Sequence, residues 1–342
     1  MEKNKTRNAD IFFQLTKRHL LVFFGNKIRV MYTLLVPVII FAVYILFLRD
    51  MELMSIQSAL MQIGLAEPDM RDAMDTVIVD REFWNLTEAL VDSWMISGII
   101  GLSVITVSLQ ANTIIVEDKE KGVNRDFASS PIHKNVLIGS YFFYNFIVTA
   151  LICFIFFLVC LIYLAAMGEF IIGFANVLTV FAVMLYSTVT TTLMTVFICS
   201  FVKTEATMMS VVAVFSTAIG FLIGAYMPLG MLPVWVQGIC GLIPGTYSCA
   251  LLRYGFMETP ILELTRYVST IPALGGETGL IETLTGNFGY NLNFFGVSVT
   301  PFFQALALAV FTILFLLLNI GVGKQLADVL GMTKKMKKKK NK

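Results

Sequence analysis

V-M-Y-T-L-L-V-P-V-I-I-F-A-V-Y-I-L-F-L, Val30 to Leu48, runs for nineteen residues without a charged side chain. A hydrocarbon core of about 30 Å is crossed by roughly 20 apolar residues in helix, so this stretch reads as a membrane span. Seven Lys and Arg precede it and no small-residue cleavage site follows, so it is expected to stay as an uncleaved first span. Composition agrees: 57% of the 342 residues are hydrophobic and 14% charged, where a soluble domain carries about 25% charged residues.

Working outward, five further apolar stretches qualify, near Trp94–Val116, Val136–Met167, Phe174–Val202, Met208–Tyr226 and Pro301–Gly323. The segments between them alternate sides. With the N-terminus inside, twenty Lys and Arg fall on cytoplasmic segments and five on outer ones. Cations favour the cytoplasmic side, so both termini are expected there. The fold class that follows is an all-α membrane protein with six transmembrane helices. Residues 1–29 form a cytoplasmic N-terminal region in which Asp10–Asn26, rich in Phe and Leu, reads as a helix lying along the inner leaflet; a frayed start to span one is the alternative. Residues 30–326 form the six-span domain. Residues 327–342 are a Lys-rich cytoplasmic tail, expected to fix topology and adhere to anionic membrane lipid.

Two outer segments are long. Residues 49–93 are acidic and could fold as a small helical hairpin; their Asn85-Leu86-Thr87 sequon reads as accidental. Residues 227–300 begin with apolar sequence interrupted by Pro228, Pro233 and Pro244, with Trp235 among them. Prolines prevent one continuous helix, so a re-entrant segment is expected, followed by an outer cap over 258–300. A seventh span over 232–252 would carry the lysine tail outside, against the charge rule.

The cytoplasmic segment after span two reads V-E-D-K-E-K-G-V-N-R-D-F-A-S-S-P, Val116 to Pro131. Span two is expected to continue through Glu117–Lys121 until Gly122 breaks it. Ser130 and Pro131 suit the N-cap and first turn of the next helix. Val123–Ser129 then makes about two turns, too short to be stable alone. Val123 and Phe127 share a face, so the segment is either a joint for a cytosolic partner or a solvated loop with an incidental Phe.

Several functions are disfavoured. No phosphate loop of the form G-x-x-x-x-G-K-[ST] occurs; Gly321-Val322-Gly323-Lys324 lacks the earlier glycine and the following hydroxyl. Cys153, Cys160, Cys199, Cys240 and Cys249 have no metal-ligand spacing, and His19 and His133 lie far from them. Buried thiols are expected, with a Cys240–Cys249 bridge the alternative on an oxidising face. No catalytic constellation and no metal site is expected, and basic residues confined to tails and loops give no nucleic-acid surface. The span centres carry no ionisable residue, which opposes an ion-coupled secondary carrier.

The acidic residue, Lys-Gly, hydrophobic residue and Ser-Pro after span two resemble ABC type-2 exporter permeases, on Glu117, Glu120, Lys121, Gly122, Val123, Phe127, Ser130 and Pro131. Phe127 replaces the Leu more common there. Gly224 to Tyr247 resembles the family's outer re-entrant helices. The resemblance implies that Val123–Ser129 is the coupling helix touching a separate cytosolic ATPase, which binds ATP and Mg while this chain binds no cofactor. It implies a second permease copy, identical or related, facing this one in a bacterial plasma membrane. Spans two and five would line the path between copies or pack their seam, through Ser93, Ser97, Gly101 and Ser108 and through Ser210, Thr217, Gly220 and Gly224. An apolar or amphipathic substrate is expected. A secondary carrier and a non-transporting scaffold with a ligand-binding outer loop are the alternatives.

Overall fold

The computed structural model describes residues 2–62, 81–130, 132–227, 229, 232–270, 281, 285, 288–290, 292–294 and 297–329. The tail from residue 330, Pro131 and Pro228 lie outside these, as do large parts of the two long outer segments.

Helix α1 (Glu2–Gly25) is followed by α2 (Lys27–Val43), and Asn26 separates them, its side chain accepting from the backbone N–H of Arg29 at 3.1 Å. The N-terminal segment is thus a helix of its own, held against the third span by Phe23 on Tyr144 and Phe12 on Phe143. Span one runs through α2, a π-helical turn at Tyr44–Leu48, and α3 (Arg49–Gln62). Span two comprises α4 (Arg81–Ala111) and α5 (Thr113–Glu120). Of the expected hairpin over 49–93, the described parts are helical and extend spans one and two, and its connection over 63–80 lies outside the described residues. Thr87 of the sequon is buried in α4, its hydroxyl donating to the Phe83 carbonyl.

A short helix α6 (Val123–Ser129) leads to α7 (Lys134–Met167), the third span, and then α8 (Phe174–Phe201) and α9 (Glu205–Leu222). Ser130 does not start α7. It closes α6, its N–H donating to the Asp126 carbonyl, and His133 is the residue that precedes the first turn of α7. Proline after Ser130 holds that residue extended, so the next helix starts later than a Ser-Pro cap predicts. Helices α10 (Val234–Cys240) and α11 (Pro244–Thr270) meet at a bend of 98°. A two-stranded hairpin, β1 (Leu292–Phe294) and β2 (Val297–Val299), stands in the expected outer cap before α12 (Pro301–Val329).

Among the described residues, six helices are long and apolar enough to span a membrane. Span two is central, with 94% of its apolar window buried, whereas span one has 17% and span six 11%. Exposed Leu46, Ile162, Val214 and Leu317 present apolar surface suited to lipid. Polar side chains join the helices inside. Asn145 of α7 accepts from Ser108 of α4 at 2.9 Å and from Thr192 of α8 at 3.0 Å, and Thr190 of α8 meets Thr312 of α12 at 2.6 Å. Such bonds contribute about 0.6 kcal/mol each in membranes, and small residues supply the close packing around them. Gly101 does so at the α4–α11 seam: a β-carbon there would lie 3.4 Å from Cys249.

Candidate functional site

The basic end of the bundle is organised by one helical turn, Glu117-Asp118-Lys119-Glu120. Successive residues on a helix point about 100° apart, and α5 is surrounded, so each charge meets a different element. Glu117 pairs with Arg29 at the start of α2 and with Lys121. Asp118 accepts both arms of Arg18 from α1 at 2.7 Å, and the Tyr141 hydroxyl of α7 at 2.5 Å. Lys119 donates to the carbonyls of Cys199 at 2.6 Å, Ser200 at 2.9 Å and Val202 at 3.2 Å, satisfying the end of α8. Glu120 accepts from the Glu205 N–H at 2.6 Å, placing a carboxylate at the start of α9. One turn thus ties span two to α1 and to spans one, three, four and five.

Gly122 then takes φ 75°, a left-handed conformation that ends α5 and reverses the chain into α6. Phe127 is half-buried, and the Arg18 guanidinium sits over its ring at 5.5 Å. The seven-residue helix is therefore held by the same arginine that pairs with Asp118. His19, beside it, stacks on Tyr141 with centroids 4.1 Å apart and lies 3.3 Å from the Ser140 hydroxyl. Burial, with Arg18 adding, pushes its pKa down to about 4, so the ring is neutral at physiological pH. Sequence reading singled out Glu117, Glu120, Lys121, Gly122, Val123, Phe127 and Ser130 but missed Arg18, Arg29, Asp118, Lys119 and Tyr141. Four consecutive charges ending an apolar helix were the available signal.

The opposite end holds a second cluster. Arg49, at the end of the π-helical turn, reaches Glu88 at 2.7 Å, Asp92 at 3.0 Å and Glu169 at 2.8 Å. Tyr44, one turn earlier, donates to Asp92. One guanidinium faces three carboxylates, so full ionisation would leave excess negative charge in a buried place. Burial, with Asp92 beside it, pushes Glu169 up to about 9.

Deeper along α4 lies Arg253 of α11, fully buried. Its Nη2 donates to the Gly224 carbonyl, and its guanidinium stacks over Trp94 at 5.5 Å. Nη1 and Nε have no protein acceptor. A buried ion loses several kcal/mol of hydration; a cation–π contact returns ~2 kcal/mol and a hydrogen bond from a charged group about 1.5–3 kcal/mol.

The small residues of spans two and five occupy different surroundings. Ser93, Ser97, Gly101 and Ser108 are enclosed by the same chain; the Ser108 hydroxyl also meets Thr195 at 2.7 Å. They pack the protomer interior instead of facing outward. Ser210 and Thr217 are exposed on α9, their hydroxyls turned back to the Ala206 and Ala213 carbonyls. Gly220 lies under the Tyr226 ring and Gly224 turns the chain with φ 73°, so this pair serves an internal bend. Pro233 precedes α10, Pro244 opens α11, and Trp235 is exposed. The first half of α11 runs antiparallel to α4, starting towards the C-terminal end of α4: Gly245 meets Ile105, Cys249 meets Gly101, and Arg253 meets Trp94. All five cysteines are buried and free, so Cys240 and Cys249 do not pair. Among the described residues no cluster suits a metal ion.

Five apolar helices around a central sixth among the described residues, with a charged turn binding their ends together, define a multi-pass membrane protein. Residues 11–257 match the ABC-2 type transporter family, and the chain belongs to it. It is accordingly a membrane subunit of an ABC transporter, a transport subunit from a family that associates with an ABC ATPase and often dimerises. No curated protein matches the chain.

Proposed function

We propose that the chain is the membrane subunit of an ATP-driven exporter that moves an apolar or amphipathic substrate outward by alternating access. A separate cytosolic ATPase, holding ATP and Mg, docks at α6 around Phe127. The observation that carries this reading is the turn Glu117–Glu120. A push on α6 passes through Gly122 into this turn and through Arg18 into α1. From there it reaches five elements together, because each charge grips a different one. An isolated solvated loop would need no such connections.

The basic end faces the cytoplasm in this reading, following the charge rule, and the membrane is a bacterial plasma membrane. The bent pair α10–α11 enters and leaves on the outer side, because α11 begins beside Ile105, part-way along span two (Arg81–Glu120). A second copy, identical or related, packs at span five, whose Ser210, Ala213 and Thr217 are exposed; the path lies between copies. The Arg49 cluster favours one rival, a proton-coupled carrier, since it holds titratable groups at the bundle end. ATP depletion with the proton gradient intact separates the two: export stops in the first case and continues in the second.

The test of the coupling reading is Phe127→Asp in the chain expressed with its cognate ATPase. Loss of copurification, or at least a ~10-fold fall in substrate-stimulated ATP hydrolysis, is expected, since a charge in a desolvated contact costs about 2 kcal/mol or more. Intact copurification and hydrolysis in that variant would remove Phe127 from the joint.

A further inference from the structure

We propose that Arg253 anchors an oxyanion site, taking the phosphate or carboxylate group of a ligand at the end of the bundle opposite α6. The site does not depend on the coupling reading, because no residue of the basic end contributes to it.

Charge is the starting point. Arg253 is fully buried, and a guanidinium stays protonated in proteins. Buried charges are ordinarily paired. The Arg49 cluster and the Arg18–Asp118 pair obey that rule in this same chain. Arg253 does not: among the described residues it forms no ion pair, and its Nη1 and Nε have no acceptor. The Gly224 carbonyl occupies Nη2 and the Trp94 face covers the guanidinium plane. What remains are charged N–H donors with the direction and polarity an oxyanion requires.

Gly289 packs close against those donors. Gly289 takes φ 65°, and a β-carbon built on it would stand 3.4 Å from Nη1. Its neighbours are fastened over the site, Phe288 on Trp94 at 5.4 Å and Tyr290 on Tyr254 at 5.6 Å. Residues 288–290 thus form a cover over Arg253 in which a glycine lets the backbone come close to Nη1. A second orphan donor, the Trp94 Nε1, is buried at the same place. A purely structural arginine tying α11 to the Gly224 turn would explain Nη2 alone.

The oxyanion has two possible sources, a lipid headgroup and a soluble anion, and the experiment separates them. The full chain is purified in dodecyl maltoside, which carries no phosphate. Its melting is followed in chloride, in sodium phosphate or acetate at matched ionic strength, and in mixed micelles with phosphatidylglycerol. Wild type is expected to gain roughly 2–5 °C in at least one arm. Arg253→Gln should lose the gain and Arg253→Lys retain part of it. A gain with soluble salts assigns a free oxyanion; a gain with phosphatidylglycerol alone assigns a headgroup. No gain in any arm, or an equal gain in wild type and Arg253→Gln, overturns the site. Should Arg253→Gln fail to fold, tryptophan emission of the wild type decides. Phosphate or phosphatidylglycerol must change it, and Trp94→Phe must abolish the change; an unaltered wild-type spectrum overturns the proposal equally.

Discussion

Gly224 and Gly122 both take left-handed backbone, with φ 73° and 75°, but their surroundings differ. A β-carbon at Gly224 would lie 2.5 Å from the Leu229 side chain, whereas nothing lies within 4 Å at Gly122. Alanine at Gly122 therefore meets only the conformational cost, about 1–2 kcal/mol. Alanine at Gly224 adds a steric cost of about 1–3 kcal/mol. Thermal melts of the two variants in detergent should show the larger loss for Gly224→Ala; equal losses would mean that the span-five bend relaxes freely.

Single residues also set the pH response. Glu169 lies in the link between spans three and four, outside both, with its carboxyl pushed up to about 9 by burial and by Asp92. A group raised on folding contributes stability that is full below its unfolded value, about 4.3, and fades as pH climbs through 9. His19 works on the other flank. Its pKa falls to about 4 on folding, so stability is lost as pH drops from about 6.5 towards that value. Melting temperature should therefore decline above neutral pH, and Glu169→Gln should flatten that decline. A Gln variant with the wild-type alkaline slope would exclude Glu169 as its cause.

At the scale of elements, the segment Glu117–Lys121 divides its lysines sharply. Lys119 satisfies three carbonyls at the end of α8, while Lys121 is largely exposed and pairs with Glu117. Removing Lys119 leaves buried acceptors open, at about 1–3 kcal/mol; an exposed pair contributes little. Lys119→Met should lower the melting temperature clearly and Lys121→Met hardly at all. The reverse order would show that α8 does not depend on this cap. The same turn explains why α6 can be so short. Its stability comes from Arg18, which α1 presents, and not from its own two turns.

For the whole molecule, topology is the testable property. All five native cysteines are buried, so an introduced thiol reports without background. Trp235 of α10 and Lys203 between spans four and five are exposed. In intact cells an impermeant thiol reagent should label Trp235→Cys and spare Lys203→Cys, which becomes reactive only after lysis. Labelling of both from one side would contradict an arrangement in which span five separates them.

Much of this molecule was legible from the chain itself, because a bilayer imposes length, apolarity and charge asymmetry that are written locally. Val30–Leu48 and its five counterparts declare themselves by run length, and Gly122, Pro233 and Pro244 mark the breaks wherever the backbone geometry demands them. Boundaries were less legible. The chain from 49 and that leading to 93 continue spans one and two because Arg49 pairs with both Glu88 and Asp92, so charges that look like loop residues are tolerated in helix. What only the tertiary structure decided is partnership: that Asp118 meets Arg18, Lys119 the end of α8, and Arg253 no carboxylate among the described residues. Run length and periodicity act over one helix turn or one span. Pairing depends on which faces of distant helices meet, and packing around the enclosed span two settles that.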